Sequence, residues 1–323
     1  AQAILAQATH LVHPRLTPTA RLCRKLVAIA LVCLVAAMGQ SPSALCSALP
    51  LSKLAQSVPT GHRPVVVVAP GSFSPPTLLH MRIFEEARDA LQRAPAFGKP
   101  CTVIGGYLSP VHLAYGKKSL APTEHRLGSK HCVLQKMSGS CSGTCFGQCT
   151  GMVEAAAEGS DWLTVASWEA LREEGYTPTA QVMNHFAEEL RSVEVAVGDA
   201  APEAGLVRVA MICGGDVFRS FVDVKEDGER LWSDEDLEVI LGENGVVVIE
   251  REATGLEDFI EAQPLLKKHR ENIIIARPRV FTGISSTAVR QHLAAGESVR
   301  YLVPDAVRAY IYEHQLEKLP NWQ

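Results

Sequence analysis

The stretch that decides the fold is residues 65–93, VVVVAPGSFSPPTLLHMRIFEEARDALQR. It opens on four valines and an alanine, a β-branched run without alternation, as expected of a strand covered on both faces. Gly71 then lets backbone approach a ligand closely, Pro75 and Pro76 stiffen a turn, and the sequence from Leu78 to Arg93 reads as a helix. Thr77 is the expected N-cap, which aims the first helical N–H groups at whatever sits above the sheet. His80 falls in that first turn, where a ring N–H can meet a phosphate oxygen. Its plain alternative is a surface histidine beside a tight turn. Strand, Gly-Ser-Phe, diproline and a helix opened by histidine are together far more specific than any one of them.

Working outward, short β-branched runs recur at 102–105, 208–213, 245–250 and 272–276, and helical stretches at 179–195, 256–261, 285–294 and 304–316. Strand alternating with helix predicts crossover units and an α/β fold with a mostly parallel sheet. Such sheets take ligands beyond the carboxyl ends of their strands, so the loops there are read first. At 284–290, ISSTAVR sets Ser285, Ser286 and Thr287 at a helix start with Arg290 one turn on, a gathering of hydroxyls, N–H groups and a forked cation suited to phosphate. An ordinary Ser/Thr cap with a surface arginine is the bland alternative. The strand at 208–213 runs into Gly214-Gly215-Asp216, where glycines permit close approach of a ribose and Asp216 can accept from a hydroxyl or cap the next helix. Lys117 and Lys118 lie on a loop after the second strand, where lysines are often merely solvated. Trp162, Trp168 and Leu231-Trp232 are either core or stacking platforms for a flat base.

The chain has 323 residues, enough for one large domain or two small ones. With 31 Lys+Arg against 35 Asp+Glu its net charge is −4, which lacks the basic excess of a nucleic-acid binder. A composition of 47% hydrophobic and 20% charged residues excludes disorder and fibrous repeats. No apolar run reaches the roughly 18–20 residues of a membrane span.

Residues 1–63 form an expected N-terminal extension. Arg21, Arg24 and Lys25 precede an apolar run ending at Met38, the pattern of a targeting segment, but Met38 is also the first methionine. Three readings are ranked: upstream untranslated sequence, a targeting segment, and last a structural part of the fold. A start at Met38 predicts a cytoplasmic or nuclear protein. Residues 129–151 carry Cys132, Cys141, Cys145 and Cys149, four of the nine cysteines, amid Gly and Ser. Without a C-x2-C knuckle they read as a polar insertion rather than a metal site. The domain is expected to span 64–318.

The motifs GSFSPPTLLHMRIFE, SPV, AYGKK, HRL, SDWL, SWEAL, CGGDVFRSF, LW, ISSTAVRQHL and VRYLVPDAVRAYI closely resemble, in order, those of eukaryotic nicotinamide/nicotinate mononucleotide adenylyltransferases. The resemblance implies a Rossmann-like, doubly wound parallel sheet in a single nucleotidyltransferase domain. It implies transfer of the adenylyl group of ATP to a pyridine mononucleotide, with Mg²⁺ carried on the ATP phosphates and no metal held by the protein. Carried over position by position, His80, Arg290 and Lys117 would be catalytic. Gly71, Ser72, Phe73, His80, Gly214, Asp216, Ser286, Thr287 and Arg290 would hold ATP and its phosphates. Ser72, Phe73, Lys117, Trp168, Leu231 and Trp232 would hold the mononucleotide. No nucleic acid and no membrane partner are implied, and a homo-oligomer is allowed for. The chain departs from the family at Thr282 and at His112-Leu113. It also departs at 129–151, whose removal would rejoin HRLG to MVEAAAEGSDWL in register, as for a loop insertion or a retained intron. Other adenylyl- or cytidylyltransferases, and a non-catalytic nucleotide-binding or chaperone module, are the alternatives.

Overall fold

The computed structural model describes residues 49–93, 95–128, 150–250, 255–280 and 283–323. Eight strands are present among them: β1 (Ser57–Val58), β2 (Arg63–Gly71), β3 (Cys101–Pro110), β4 (Leu163–Val165), β5 (Ala196–Val197), β6 (Arg208–Gly214), β7 (Val246–Ile249) and β8 (Ile273–Ala276). Six of these form one sheet in the order β4-β3-β2-β6-β7-β8, every neighbouring pair parallel. The chain thus starts in the middle, winds outward to β4, then crosses back to β6 and winds the other way. That reversal is the doubly wound arrangement, and it opens a crevice between the carboxyl ends of β2 and β6.

The valine run explains why β2 is central. Val66 and Val68 point into one core layer with Val209, Met211, Val246 and Val248, against the helix α5 (Thr179–Leu190). Val65 and Val67 point into the other with Ala210, Ile212, Val247 and Ile249, against Phe84, Ala87 and Leu91 of α1 (Leu78–Arg93). All four valines are fully buried, and period-2 alternation sends them to opposite apolar layers. The other helices are α2 (Thr123–Leu127), α3 (Met152–Ala157), α4 (Trp168–Leu171), α6 (Gly215–Arg219), α7 (Asp234–Leu237), α8 (Leu256–Ala262), α9 (Pro264–Lys268), α10 (Ser286–Ala294) and α11 (Asp305–Glu313). A third apolar cluster joins α3, α10 and α11 through Met152, Val289, Val307 and Ile311.

The domain limits expected at 64 and 318 both fall inside packed structure. Residues 49–62 belong to the fold. Lys53 Nζ donates to the carbonyls of Ala157, Ser160 and Leu163 at 3.2, 2.6 and 2.9 Å, and Ala55 N–H bonds Ile104 O at 2.8 Å. β1 pairs with β5, and Leu54 fills the space a side chain at Gly105 would need, 2.2 Å from where its Cβ would lie. At the other end Trp322 is buried, its Nε1 donating to Ser119 O at 3.1 Å, while Asn321 Nδ2 donates to Leu120 O at 2.7 Å. The tail therefore fastens the loop that carries Lys117. The strands β1, β4 and β5 are too short to register as apolar runs, which is why sequence periodicity missed them. Residues 1–48 and the four cysteines at 132–149 lie outside the described residues.

Candidate active site

β2 ends at Gly71, whose carbonyl accepts the N–H of Val111 at 3.0 Å and so levels the ends of β2 and β3. Phe73 follows with φ +44°, a left-handed conformation that a side chain rarely adopts. Its ring folds back beneath Gly71, so a Cβ there would sit 3.1 Å from Phe73 Cζ, and the ring would have to shift by a few tenths of an ångström to admit it. The same ring meets the His80 imidazole edge-on, with centroids 5.2 Å apart.

Thr77 and His80 form a reciprocal cap. The His80 N–H bonds Thr77 Oγ1 at 3.3 Å, and the Thr77 N–H donates to His80 Nδ1 at 3.0 Å. This is the geometry of a capping box, with histidine in the place usually held by Glu or Gln. Because Nδ1 accepts from a backbone N–H, the ring proton resides on Nε2, which makes Nε2 a hydrogen-bond donor. One expectation is corrected. The first N–H groups of α1 do not all face the crevice, since Leu78 N–H is bonded to Leu302 O at 3.0 Å and His80 N–H to Thr77.

The Ser/Thr-rich motif is built as a helix start, with Ser285 as N-cap accepting from Ala288 N–H at 3.1 Å. It docks directly on the turn after β2. Ser286 Oγ donates to Pro75 O at 2.8 Å, and Arg290 Nη1 donates to Ser74 O at 2.7 Å while Nη2 reaches Thr287 Oγ1 at 3.1 Å. Two motifs more than two hundred residues apart are thereby bonded into one surface. Burial holds the Arg290 pKa below the ordinary arginine value. Ser74 in turn donates to Ser119 O at 2.9 Å and accepts from Ala121 N–H at 2.8 Å, anchoring the Lys117 loop to the same turn. Desolvation first and the Arg290 charge second lower the Lys117 pKa, so the two cations share one electrostatic neighbourhood. His112 departs from the family pattern without disturbing this loop: its Nδ1 accepts from Ala114 N–H at 3.0 Å and caps a turn of 3₁₀ helix.

On the β4 side, the Trp168 ring lies parallel to His185 at 3.8 Å with an 8° tilt, and the Arg172 guanidinium is 4.9 Å from its centroid. His185 thus covers one face of the ring expected to receive a flat base. Trp232 packs edge-on against Phe221 at 4.9 Å with its Nε1 bonded to Ser220 Oγ at 3.1 Å, and Leu231 beside it is half exposed. α7, just after Trp232, packs on α5, the helix that carries His185. Gly214 caps α6 and Asp216 lies within its first turn, so Asp216 is not the cap. A Cβ at Gly214 would enter open space, so no neighbour in the fold demands glycine there.

Sequence reasoning missed a buried polar group that joins the two sides. Arg126 is fully buried, donating to Ala121 O at 3.0 Å and Val111 O at 2.8 Å; burial pushes its pKa down to about 10, opposed by the charges of Glu169 and Glu124. Glu169 is also buried and accepts from Ser109 Oγ at 2.8 Å. Burial pushes its pKa up to about 7, opposed by that hydrogen bond and by Arg126. The adjacency of HRL and SWEAL in space was the signal, and one-dimensional spacing does not carry it. Among the described residues no three His, Cys, Asp or Glu side chains converge as a metal-ligand cluster. Thr282 lies outside the described residues.

No family model matches the chain. It is 37% identical over 255 residues to a nicotinamide/nicotinic acid mononucleotide adenylyltransferase 1 of Saccharomyces cerevisiae, covering 78% of this chain and 55% of that protein. The enzyme so named in Arabidopsis thaliana is 35% identical over 269 residues, covering 83% of this chain and 96% of that one. The Bos taurus nicotinamide/nicotinic acid mononucleotide adenylyltransferase 1 is 31% identical over 283 residues, covering 78% and 88%. The chain spans just over half the length of the yeast relatives and nearly all of the plant one. On this likeness across most of its length, the chain belongs to the nicotinamide/nicotinic acid mononucleotide adenylyltransferase family.

Proposed function

We propose that the chain transfers the adenylyl group of ATP to nicotinamide mononucleotide or nicotinate mononucleotide, a step of NAD biosynthesis. The mononucleotide phosphate oxygen attacks the α-phosphorus of ATP, the bond to the β-phosphate oxygen breaks, and pyrophosphate leaves with the electron pair. No protein nucleophile is needed, so catalysis rests on positioning and on stabilising charge at the α-phosphoryl oxygens. The observation that carries this reading is the docking of α10 on the turn after β2, through Ser286 to Pro75 and Arg290 to Ser74, beside His80.

Each residue then has a physical task. His80 presents Nε2–H to an α-phosphoryl oxygen, with its ring orientation held by Thr77 and Phe73. Arg290 and Lys117 supply fixed positive charge against the developing negative charge. Gly214 leaves room for a ribose. Trp168 would stack on the pyridine ring once the Arg172 guanidinium, which lies over the ring opposite the stacked His185, swings aside. Mg²⁺, held by the phosphate oxygens of ATP rather than by side chains, would supply charge neutralisation when bound.

Pyrophosphate release from ATP is the test, measured with each mononucleotide in turn. Release that depends on either mononucleotide is the expected result. Release only with another phosphorylated acceptor would move the chain to a different nucleotidyltransferase activity. ATP binding without any release would make it a nucleotide-binding module.

A further inference from the structure

A cavity of about 470 Å³ lies away from the crevice, at the amino-terminal ends of β2 and β6. Its size falls within the roughly 300–1,000 Å³ typical of small-molecule sites. Arg63, Lys99 and Arg208 line it with a single carboxylate, Glu243. The register sets Val65 opposite Arg208, so Arg63, two residues back on the same face of β2, is a diagonal neighbour of Arg208. Two guanidinium groups are thus brought side by side, and burial together with the Arg63 charge lowers the Arg208 pKa.

Arg208 is held rigidly. Its Nη2 donates to the carbonyls of Asn244 and Gly242, and its guanidinium lies 4.8 Å over the Phe97 ring. Its Nε is buried with no hydrogen-bond partner among the described residues. Neither Arg63 nor Lys99 makes an ion pair among them. Side chains at Gly61 and Gly205, both on the cavity wall, would also meet nothing within 4 Å. Adjacent unpaired cations repel, and an anion seated between them relieves that cost. Planar guanidinium forks with an ammonium beside them suit the tetrahedral oxygens of phosphate.

We propose that this cavity is a second ligand site, taking a small phosphate-bearing anion between Arg63, Lys99 and Arg208. It is separated from the nucleotide crevice by the length of β2 and shares none of the residues assigned to adenylyl transfer.

Calorimetric titration of the full chain at low salt tests it, using inorganic pyrophosphate in one arm and ribose 5-phosphate in the other. In the wild type one or both probes should show a binding step that Arg63→Gln/Lys99→Gln weakens at least about tenfold, with the KM for ATP within about twofold. The tighter probe tells whether the anion is inorganic or carried on a sugar. Lys99→Glu alone, on an exposed side chain, should weaken the same step and guards against disturbance of the strand end. Isotherms that superimpose for wild type and both variants overturn the site, as does a loss matched by an equal loss of ATP affinity.

Discussion

The Arg290 guanidinium donates to the carbonyl oxygen of Ser74 at 2.7 Å, across 216 residues of sequence, and Ser74 is itself buried. One cation therefore does two things. It closes the junction between α10 and the turn after β2, and it places positive charge on the crevice wall. Arg290→Lys keeps the charge and loses the fork. Leaving the Ser74 carbonyl short of a donor costs about 1–3 kcal/mol, read as a fall in Tm. The kcat should fall by roughly a hundredfold or more. Ser286→Ala removes only the bond to Pro75 and should cost about 1 kcal/mol with a smaller loss of kcat. Equal effects of the two variants on kcat would mean that the junction, not the guanidinium fork, matters.

His80→Ala should lower kcat by about two to three orders of magnitude while the Kd for ATP stays within a few-fold, because a transition-state donor contributes little to ground-state binding. Thr77→Val removes the hydroxyl that accepts the His80 N–H but keeps the backbone N–H on Nδ1. Its expected loss is milder, about tenfold in kcat, with a Tm decrease worth about 1 kcal/mol for the lost cap. Single-turnover kinetics with equilibrium ATP binding separates the two effects. Near wild-type turnover in His80→Ala would remove histidine from the mechanism.

Glu169 gives a pH dependence with a definite sign. Its carboxyl is pushed up to about 7 in the folded chain by burial, above its ordinary value near 4.5, so between these values the folded state holds more protons than the unfolded state. The stability it contributes is therefore greatest below that window and is lost as pH rises through it. Tm should decline from pH 4.5 towards 7.5, and Glu169→Gln should flatten that decline. An unchanged slope in the variant would assign the dependence to other groups.

The residues flanking 129–150 are already in contact. A Cβ on Gly151 would lie 2.3 Å from the Gly128 nitrogen, and α3 begins at the next residue. Deleting 129–150 therefore rejoins two points that the fold holds together. The shortened chain should keep its pyrophosphate release within about twofold and unfold at the same or a higher temperature, because a shorter connection between two held points costs less closure entropy. Loss of folding in the deletion would show that the segment is an integral part of the domain.

Lys53→Met tests the packed segment before β2. The ammonium serves three carbonyls at once, and losing a charged donor to buried acceptors costs about 1.5–3 kcal/mol. Chemical denaturation should show that loss with no change in the KM for ATP.

Much of this site was legible in one dimension. The valine run, the helix Leu78–Arg93, the Thr77 cap and the hydroxyl-rich start of α10 rest on local rules, so the linear pattern carries them. Three features were not legible. The stack of His185 on Trp168 joins residues on two helices, the pairing of Glu169 with Ser109 spans 60 residues, and Asn321 and Trp322 brace the Lys117 loop from the far end of the chain.

The sequence by itself determined the strand–helix alternation, the residue types at each crevice loop and the family they resemble, since backbone propensity, capping and burial periodicity act over a few neighbours. The tertiary structure alone decided which partners those residues take. It turned Arg290 and Ser286 towards the carbonyls of Ser74 and Pro75, fixed the His80 ring through Thr77, buried Arg126 near Glu169, and set Arg63 beside Arg208. Those outcomes depend on sheet register and on which buried polar groups must be satisfied. Both are settled only when distant segments pack together.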